Sequence, residues 1–146
     1  MLADSVDTDF IPKPIVAITY ASPVVGNDVF VNAYEELEKA NKLRHIRISN
    51  ENDIVACVGA TLVNYGQTGV NFHVKEEPME IKYENPKSFF KQLNIFRVLA
   101  AHSLYGEGSY FSRLYKKDKD GKLLNEEVLH MTIEEVYKKY ANIPCE

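Results

Sequence analysis

Residues Ile15 to Ala21, Ile-Val-Ala-Ile-Thr-Tyr-Ala, form an apolar run rich in β-branched side chains and without strict period-two alternation. That pattern suits a strand buried on both faces, as in a parallel sheet covered by helices on each side. Pro12 and Pro14 mark its entry, Ser22-Pro23 stops it, and Gly26-Asn27 supplies a turn. Asn27 is a good helix N-cap. Phe30, Tyr34, Leu37 and Asn41 then fall on one helical stripe, three of them apolar, while Glu35, Glu36, Glu38 and Lys39 take the opposite side. His45 to Asn50 reads as the next strand, with Ile46 and Ile48 on one face. Strand, helix and strand within about 35 residues make a βαβ unit and predict an α/β fold with a parallel sheet. A first strand that is apolar on both faces also needs neighbours on both sides. A sheet built from these residues alone leaves it on an edge or under an uncovered face.

Beyond Asp53 the pattern is less regular. Tyr65-Gly66-Gln67-Thr68-Gly69 turns, and Asn71–Glu76 with Glu80–Glu84 predict a short hairpin that sets Phe72 and Val74 against Ile81 and Tyr83. Asn85-Pro86 opens a helix with Phe89, Leu93, Phe96 and Ala100 on its inner face, ending near His102. A loop with Gly106 and Gly108 leads to a short helix over Tyr110–Leu114. Lys116 to Lys122 is a polar run turning at Asp120-Gly121. Thr132-Ile133-Glu134-Glu135 is a capping box for a last helix reaching about Tyr140. The chain divides into a folded part, 1–115, and a tail of polar turn plus C-terminal helix, 116–146. At 146 residues, with 45% apolar and 26% charged side chains, it is long enough for one core.

Composition removes several classes of function. A formal charge of −4 argues against nucleic acid as a partner. The two cysteines, Cys57 and Cys145, give no disulfide framework and no Cys-rich metal site, and no histidine pair has metal-ligand spacing. No run of 18 apolar residues predicts a transmembrane segment, and the acidic first ten residues lack the features of a signal peptide. Asp118-Lys119-Asp120-Gly121 with Glu127 has the outline of a calcium loop, but Lys116 then occupies the first ligand position. Cys57, set among apolar residues, reads as a buried thiol. The pattern therefore predicts no metal and no cofactor.

Two residues stand out chemically. Asp53 follows a strand and precedes Ile54-Val55, at the carboxyl end of a sheet where α/β proteins place their sites. It could orient a partner, or simply close a turn or cap a helix. His102 follows an apolar helix and precedes a glycine loop. A neutral imidazole there could accept a proton from a nucleophile, or be a hydrogen-bonded structural histidine. His45 and His73 alternate within strands, and His130 lies near a helix start.

The segment Ile18-Thr19-Tyr20-Ala21-Ser22-Pro23-Val24-Val25-Gly26-Asn27 resembles the Gly/Ala-Ser/Gln-Pro-Arg-Val-Gly-Asn signature of class 3 (fungal-type) triacylglycerol lipases. Asn52-Asp53-Ile54-Val55 resembles their Asn/Arg-Asp-Ile-Val-Pro box, Tyr65 and Gly69 with Val70–Val74 resemble a Tyr-x-His-x-Gly turn and strand, and His102-Ser103-Leu104-Tyr105 resembles the segment holding the base. The four keep family order over roughly residues 15 to 112. Val24, Ala56 and Ala101 stand where the family has Arg, Pro and often Asp, and residues 116–146 match none of its boxes. The resemblance implies a partial α/β-hydrolase fold, Asp53 as catalytic acid, His102 as catalytic base, an acylglycerol or other lipid ester as substrate, and peripheral contact with a lipid surface. It also implies a Gly-x-Ser-x-Gly nucleophile elbow before Asp53. No two glycines lie four residues apart, and Ser5, Ser22 and Ser49, the serines before Asp53, sit on no such turn. The expectation is therefore the acid-and-base half of a lipase-like hydrolase, a fragment inactive alone. The alternatives are a non-catalytic, lipase-derived module that binds lipid or protein, and a split hydrolase whose serine comes from a second chain.

Overall fold

The computed structural model describes residues 12–51, 53–57, 65–75, 80–82 and 101–141. Strand β1 (Ile15–Tyr20) leads through the two-residue strand β2 (Gly26–Asn27) into helix α1 (Asp28–Lys39) and strand β3 (Leu43–Asn50). A 3-10 turn at Val55–Cys57 is followed by β4 (Tyr65–Gly66), β5 (Val70–Val74) and β6 (Glu80–Lys82). Short helices α2 (Tyr110–Leu114), α3 (Glu126–Leu129) and α4 (Ile133–Val136) follow, and α4 continues into a π-helical turn, Tyr137–Ala141.

The main sheet has the order β1-β3-β5-β6. β1, β3 and β5 are parallel, with Ile18 opposite Ile46 and Ile48 opposite Phe72, and β6 runs antiparallel to β5. This is a mostly parallel sheet with flanking helices, compatible with part of an α/β fold. The predicted βαβ unit is present: the Asn27 side chain accepts from Phe30 N–H at 3.1 Å and starts α1, which returns the chain to lie parallel to β1. Phe72 pairs with Ile81 as the hairpin pattern predicts, while Tyr83 and the helix predicted from Asn85 lie outside the described residues apart from its last turn at Ala101–His102. The Thr132–Glu135 capping box forms in both directions.

The apolar run of β1 suits burial on both faces, but a sheet of these residues alone is expected to leave it at an edge or uncovered, and so it is: Val16 and Ile18 are 47% and 54% exposed, and Tyr20 is also open to solvent. Among the described residues β1 is an edge strand, and the core of Ile46, Ile48, Val70, Phe72, Val74, Tyr110, Leu114, Val136 and Tyr137 gathers over β3 and β5. All eight residues of β3 are buried, including Arg44, His45, Arg47 and Ser49, which the sequence pattern did not place inside. Each has a polar partner. Arg44 donates to the Glu38 carbonyl at 2.6 Å and lies over the Tyr137 ring, and Arg47 Nε donates to the Thr68 carbonyl at 2.6 Å. The Tyr137 hydroxyl joins Glu38 Oε1 (2.6 Å) and the backbone of His45, tying α1, β3 and the C-terminal segment together. Buried polar groups held this way avoid the penalty of desolvation without a partner.

Gly69 precedes β5 with φ +75°, and a Cβ there would stand 2.2 Å from the His45 carbonyl oxygen. Only glycine lets this turn pass so close to β3.

Candidate active site

β3 ends at Asn50, and the chain turns at once: Asp53 N–H donates to the Asn50 carbonyl at 3.0 Å, while Glu51 N–H is held by the Val74 carbonyl at the end of β5. The turn carries the Asp53 side chain to the carboxyl edge of the parallel strands, where it is completely buried. Asp53 Oδ1 accepts from Val55 N–H at 2.9 Å, the side-chain-to-backbone bond by which aspartate closes a turn two residues on.

The same carboxylate meets His102. Nδ1 of the imidazole lies 3.2 Å from Oδ1 and 3.1 Å from Oδ2, across 49 residues of chain. A carboxylate only accepts hydrogen bonds, so in this contact Nδ1 is the donor, and whenever the ring is neutral Nε2 is left as its acceptor. The His102 side chain is 48% exposed, against none for Asp53. The acid is therefore enclosed and the imidazole faces outward. Among the described residues, His102 makes its hydrogen bonds to Asp53 alone.

Three further side chains position this pair. Tyr110 donates its phenol proton to Asp53 Oδ2 at 2.6 Å and accepts from Asn50 N–H at 3.2 Å. Burial first, and then the bond to Asp53 and its negative charge, push the Tyr110 phenol far above its ordinary range, so it remains a donor at any working pH. Asn50 Nδ2 donates to the carbonyls of Ala101 and Gly108, at 2.8 and 2.9 Å, and clamps both ends of the His102 loop to the end of β3. Gln67 Nε2 donates to the carbonyls of Ser22 and Ala56, joining the end of β1 to the turn after Asp53.

The sequence pointed to Asp53 and His102, and the fold brings them together. It did not point to Tyr110, Asn50 or Gln67. For Asn50 a signal was present: strand alternation puts it on the face of Ile46 and Ile48, where a polar side chain must be buried and bonded. For Tyr110 the only hint was an aromatic hydroxyl in a short apolar helix, which needs a partner when buried.

The remaining histidines are built into the sheet or its loops. His45 lies between Thr19 and Thr68, with Nε2 2.9 Å and Nδ1 3.2 Å from their hydroxyls, and burial followed by the charge of Arg47 lowers it to about 4. His73 Nδ1 meets Ser49 Oγ at 3.0 Å across neighbouring strands. His130 caps the C-terminus of α3. Ser22 follows Ala21, whose φ of +53° is unusual for a residue with a side chain, but its hydroxyl turns to the Pro23 carbonyl. No cluster of three metal-ligating side chains occurs among the described residues, and no described helix is long and apolar enough to cross a membrane. Comparison with protein-family models, with curated proteins and with solved structures found no significant match.

Proposed function

We propose that this chain carries the acid and the base of a lipase-like serine ester hydrolase, acting on acylglycerols or related lipid esters. The observation that carries the reading is the enclosed Asp53 carboxylate holding Nδ1 of an outward-facing His102 at 3.1 Å. In this chemistry His102 Nε2 takes the proton of a serine hydroxyl as its oxygen attacks the ester carbonyl. The imidazolium then returns that proton to the leaving alcohol, and a water molecule repeats the sequence to release the acid from the acyl-serine. Asp53 fixes the ring and stabilises its charged form. Tyr110 and Asn50 hold the pair in place but touch no reacting atom.

Residues 1–146 contain no Gly-x-Ser-x-Gly elbow, so on this reading the nucleophile comes from polypeptide outside them. Among the described residues β1 pairs only with β3, and Val16 and Ile18 are exposed; on this reading a further parallel strand joins that edge. The same apolar face is what a non-catalytic binding module would use.

Hydrolysis of a p-nitrophenyl ester separates the two. The purified chain alone is expected to give no turnover. Joined in frame to the nucleophile-bearing half of a class 3 lipase, it is expected to give turnover that disappears with His102→Ala. A folded fusion without activity, or with activity indifferent to His102→Ala, favours the binding module. Turnover by the lone chain that depends on His102 places a nucleophile inside residues 1–146 and refutes its outside origin.

A further inference from the structure

Helix α2 is five residues long, too short to hold its place by its own hydrogen bonds. It meets the candidate site at its first residue, where the Tyr110 hydroxyl reaches Asp53 at 2.6 Å. Where that hydroxyl stands therefore depends on what fixes the rest of the helix. Tyr110 and Arg113 lie three residues apart, on one side of the helix, and both are buried. Arg113 Nη1 donates to the Glu51 carbonyl at 3.3 Å and stands 3.5 Å from Glu51 Oε2. Glu51 opens the turn that delivers Asp53. Two side chains of α2 thus grip one turn, Arg113 at Glu51 and Tyr110 at Asp53.

The far end of α2 is held from the C-terminal segment. Asn125 is buried, and its Nδ2 donates to the carbonyls of Leu114 and Arg113 at 3.3 and 3.5 Å. These are carbonyls that the last turn of a helix leaves without an internal partner. Asn125 is also the N-cap residue of α3, a position at which asparagine ordinarily caps its own helix, yet its side chain makes no cap bond there. Its amide is committed to α2 instead. Behind it, Val136 and Tyr137 share a core with Tyr110 and Leu114. Residues 116–141, which match no box of the lipase resemblance, therefore back the helix that holds Asp53.

We propose that Arg113 and Asn125 are positioning residues for the Asp53–His102 pair, acting through α2. Their role rests on the reading of that pair as acid and base. Neither touches a reacting atom, and both set where the Tyr110 hydroxyl meets the carboxylate. Asp53 Oδ2 is shared: Tyr110 donates to it at 2.6 Å, and His102 Nδ1 lies 3.1 Å away. A shift of the phenol therefore moves the oxygen that orients the imidazole. The planar guanidinium suits this task, since its fixed fork serves the carbonyl and the carboxylate of Glu51 together.

Nitrogen-15 NMR of the His102 ring in the full chain reads the outcome without any ester substrate. In Arg113→Met and in Asn125→Ala the ratio of Nδ1–H to Nε2–H ring is expected to fall at least about threefold, against the roughly tenfold or more that loss of a whole bond to a charged acceptor gives. Arg113→Lys keeps a cation before Glu51 and is expected to retain more of the ratio than Arg113→Met. Thr132→Ala removes the cap of α4 in the same C-terminal segment and is expected to leave the ring unchanged. Circular dichroism establishes which variants are folded, and if Arg113→Met is not, Arg113→Lys and Asn125→Ala carry the comparison. A ring unchanged in the folded Arg113 and Asn125 variants, or disturbed as much by Thr132→Ala, would overturn the proposal and leave the acid–base reading standing. A wild-type ring protonated at Nε2 refutes that reading, and the positioning role with it.

Discussion

Removing one hydroxyl tests the architecture around Asp53. Tyr110→Phe keeps the ring, its packing in the core and its edge-on contact with Tyr20, and deletes only the oxygen. Two bonds go with it: the 2.6 Å bond to Asp53 Oδ2 and the 3.2 Å bond from Asn50 N–H. A hydrogen bond to a charged acceptor contributes about 1.5–3 kcal/mol, and a buried N–H left without a partner costs about 1–3 kcal/mol. Asp53 keeps Val55 N–H and His102, which softens the first loss. The expected destabilisation is about 3 kcal/mol, a substantial part of the 5–15 kcal/mol typical of a whole domain. In a chain of this size it lowers the melting temperature by about 10 °C. Urea unfolding of wild type, Asp53→Ala, Tyr110→Phe and the double variant measures both the loss and its source. Because the two groups share a bond, the double variant should be less destabilised than the sum of the singles by about 1 kcal/mol or more. A loss below about 0.5 kcal/mol, or strict additivity, would show that the phenol does not support the carboxylate.

Asn50→Leu should cost about 2–4 kcal/mol, since it leaves the buried Ala101 carbonyl and the part-buried Gly108 carbonyl without this donor. Hydrogen exchange should locate the loosening at 101–110, and protection unchanged there would contradict the clamp. His45, held at about 4 against an ordinary 6.5, makes acid sensitivity a sheet property. The unfolded chain binds its proton first, so the contribution is complete above pH 6.5 and is lost as pH falls toward 4, by on the order of 3 kcal/mol. Urea midpoints between pH 7 and 4 should therefore fall less steeply in His45→Gln, and equal slopes would refute the assignment. Gly69→Ala should destabilise by about 2 kcal/mol or more, through its positive φ and the His45 carbonyl in its path, and a neutral result in thermal unfolding would show that the turn can open.

The features legible in the sequence are those whose cause is local. The Asn27 cap, the Thr132–Glu135 box and the βαβ order depend on residues a few positions apart, and each is present. The α1 stripe is corrected: Glu38, expected on the wet side, is fully buried against the Tyr137 hydroxyl, and Phe30, expected inside, is exposed. Asp53 could be singled out because a strand end followed by apolar residues is itself a local pattern. What escaped depends on partners far along the chain. Arg44, His45 and Arg47 look like surface residues until Glu38, Thr68 and Tyr137 meet them. Tyr110 reaches Asp53 across 57 residues. The two-residue ladder of Gly26-Asn27 with Tyr65-Gly66 is too short to leave a periodic trace. For β1, composition suited burial on both sides, while the lack of neighbouring strands in the sequence pointed to an edge, and among the described residues the edge is where it stands.

The proposed chemistry requires Asp53 to hold His102 as the Nδ1–H tautomer, with Nε2 free to accept a proton. Nitrogen-15 NMR of the imidazole ring, in a pH range where it is neutral, reads that state directly. A protonated Nδ1 and a bare Nε2 are expected for His102 in the wild type, with the preference lost in Asp53→Ala. A ring protonated at Nε2, or a spectrum unchanged when the carboxylate is removed, would contradict it.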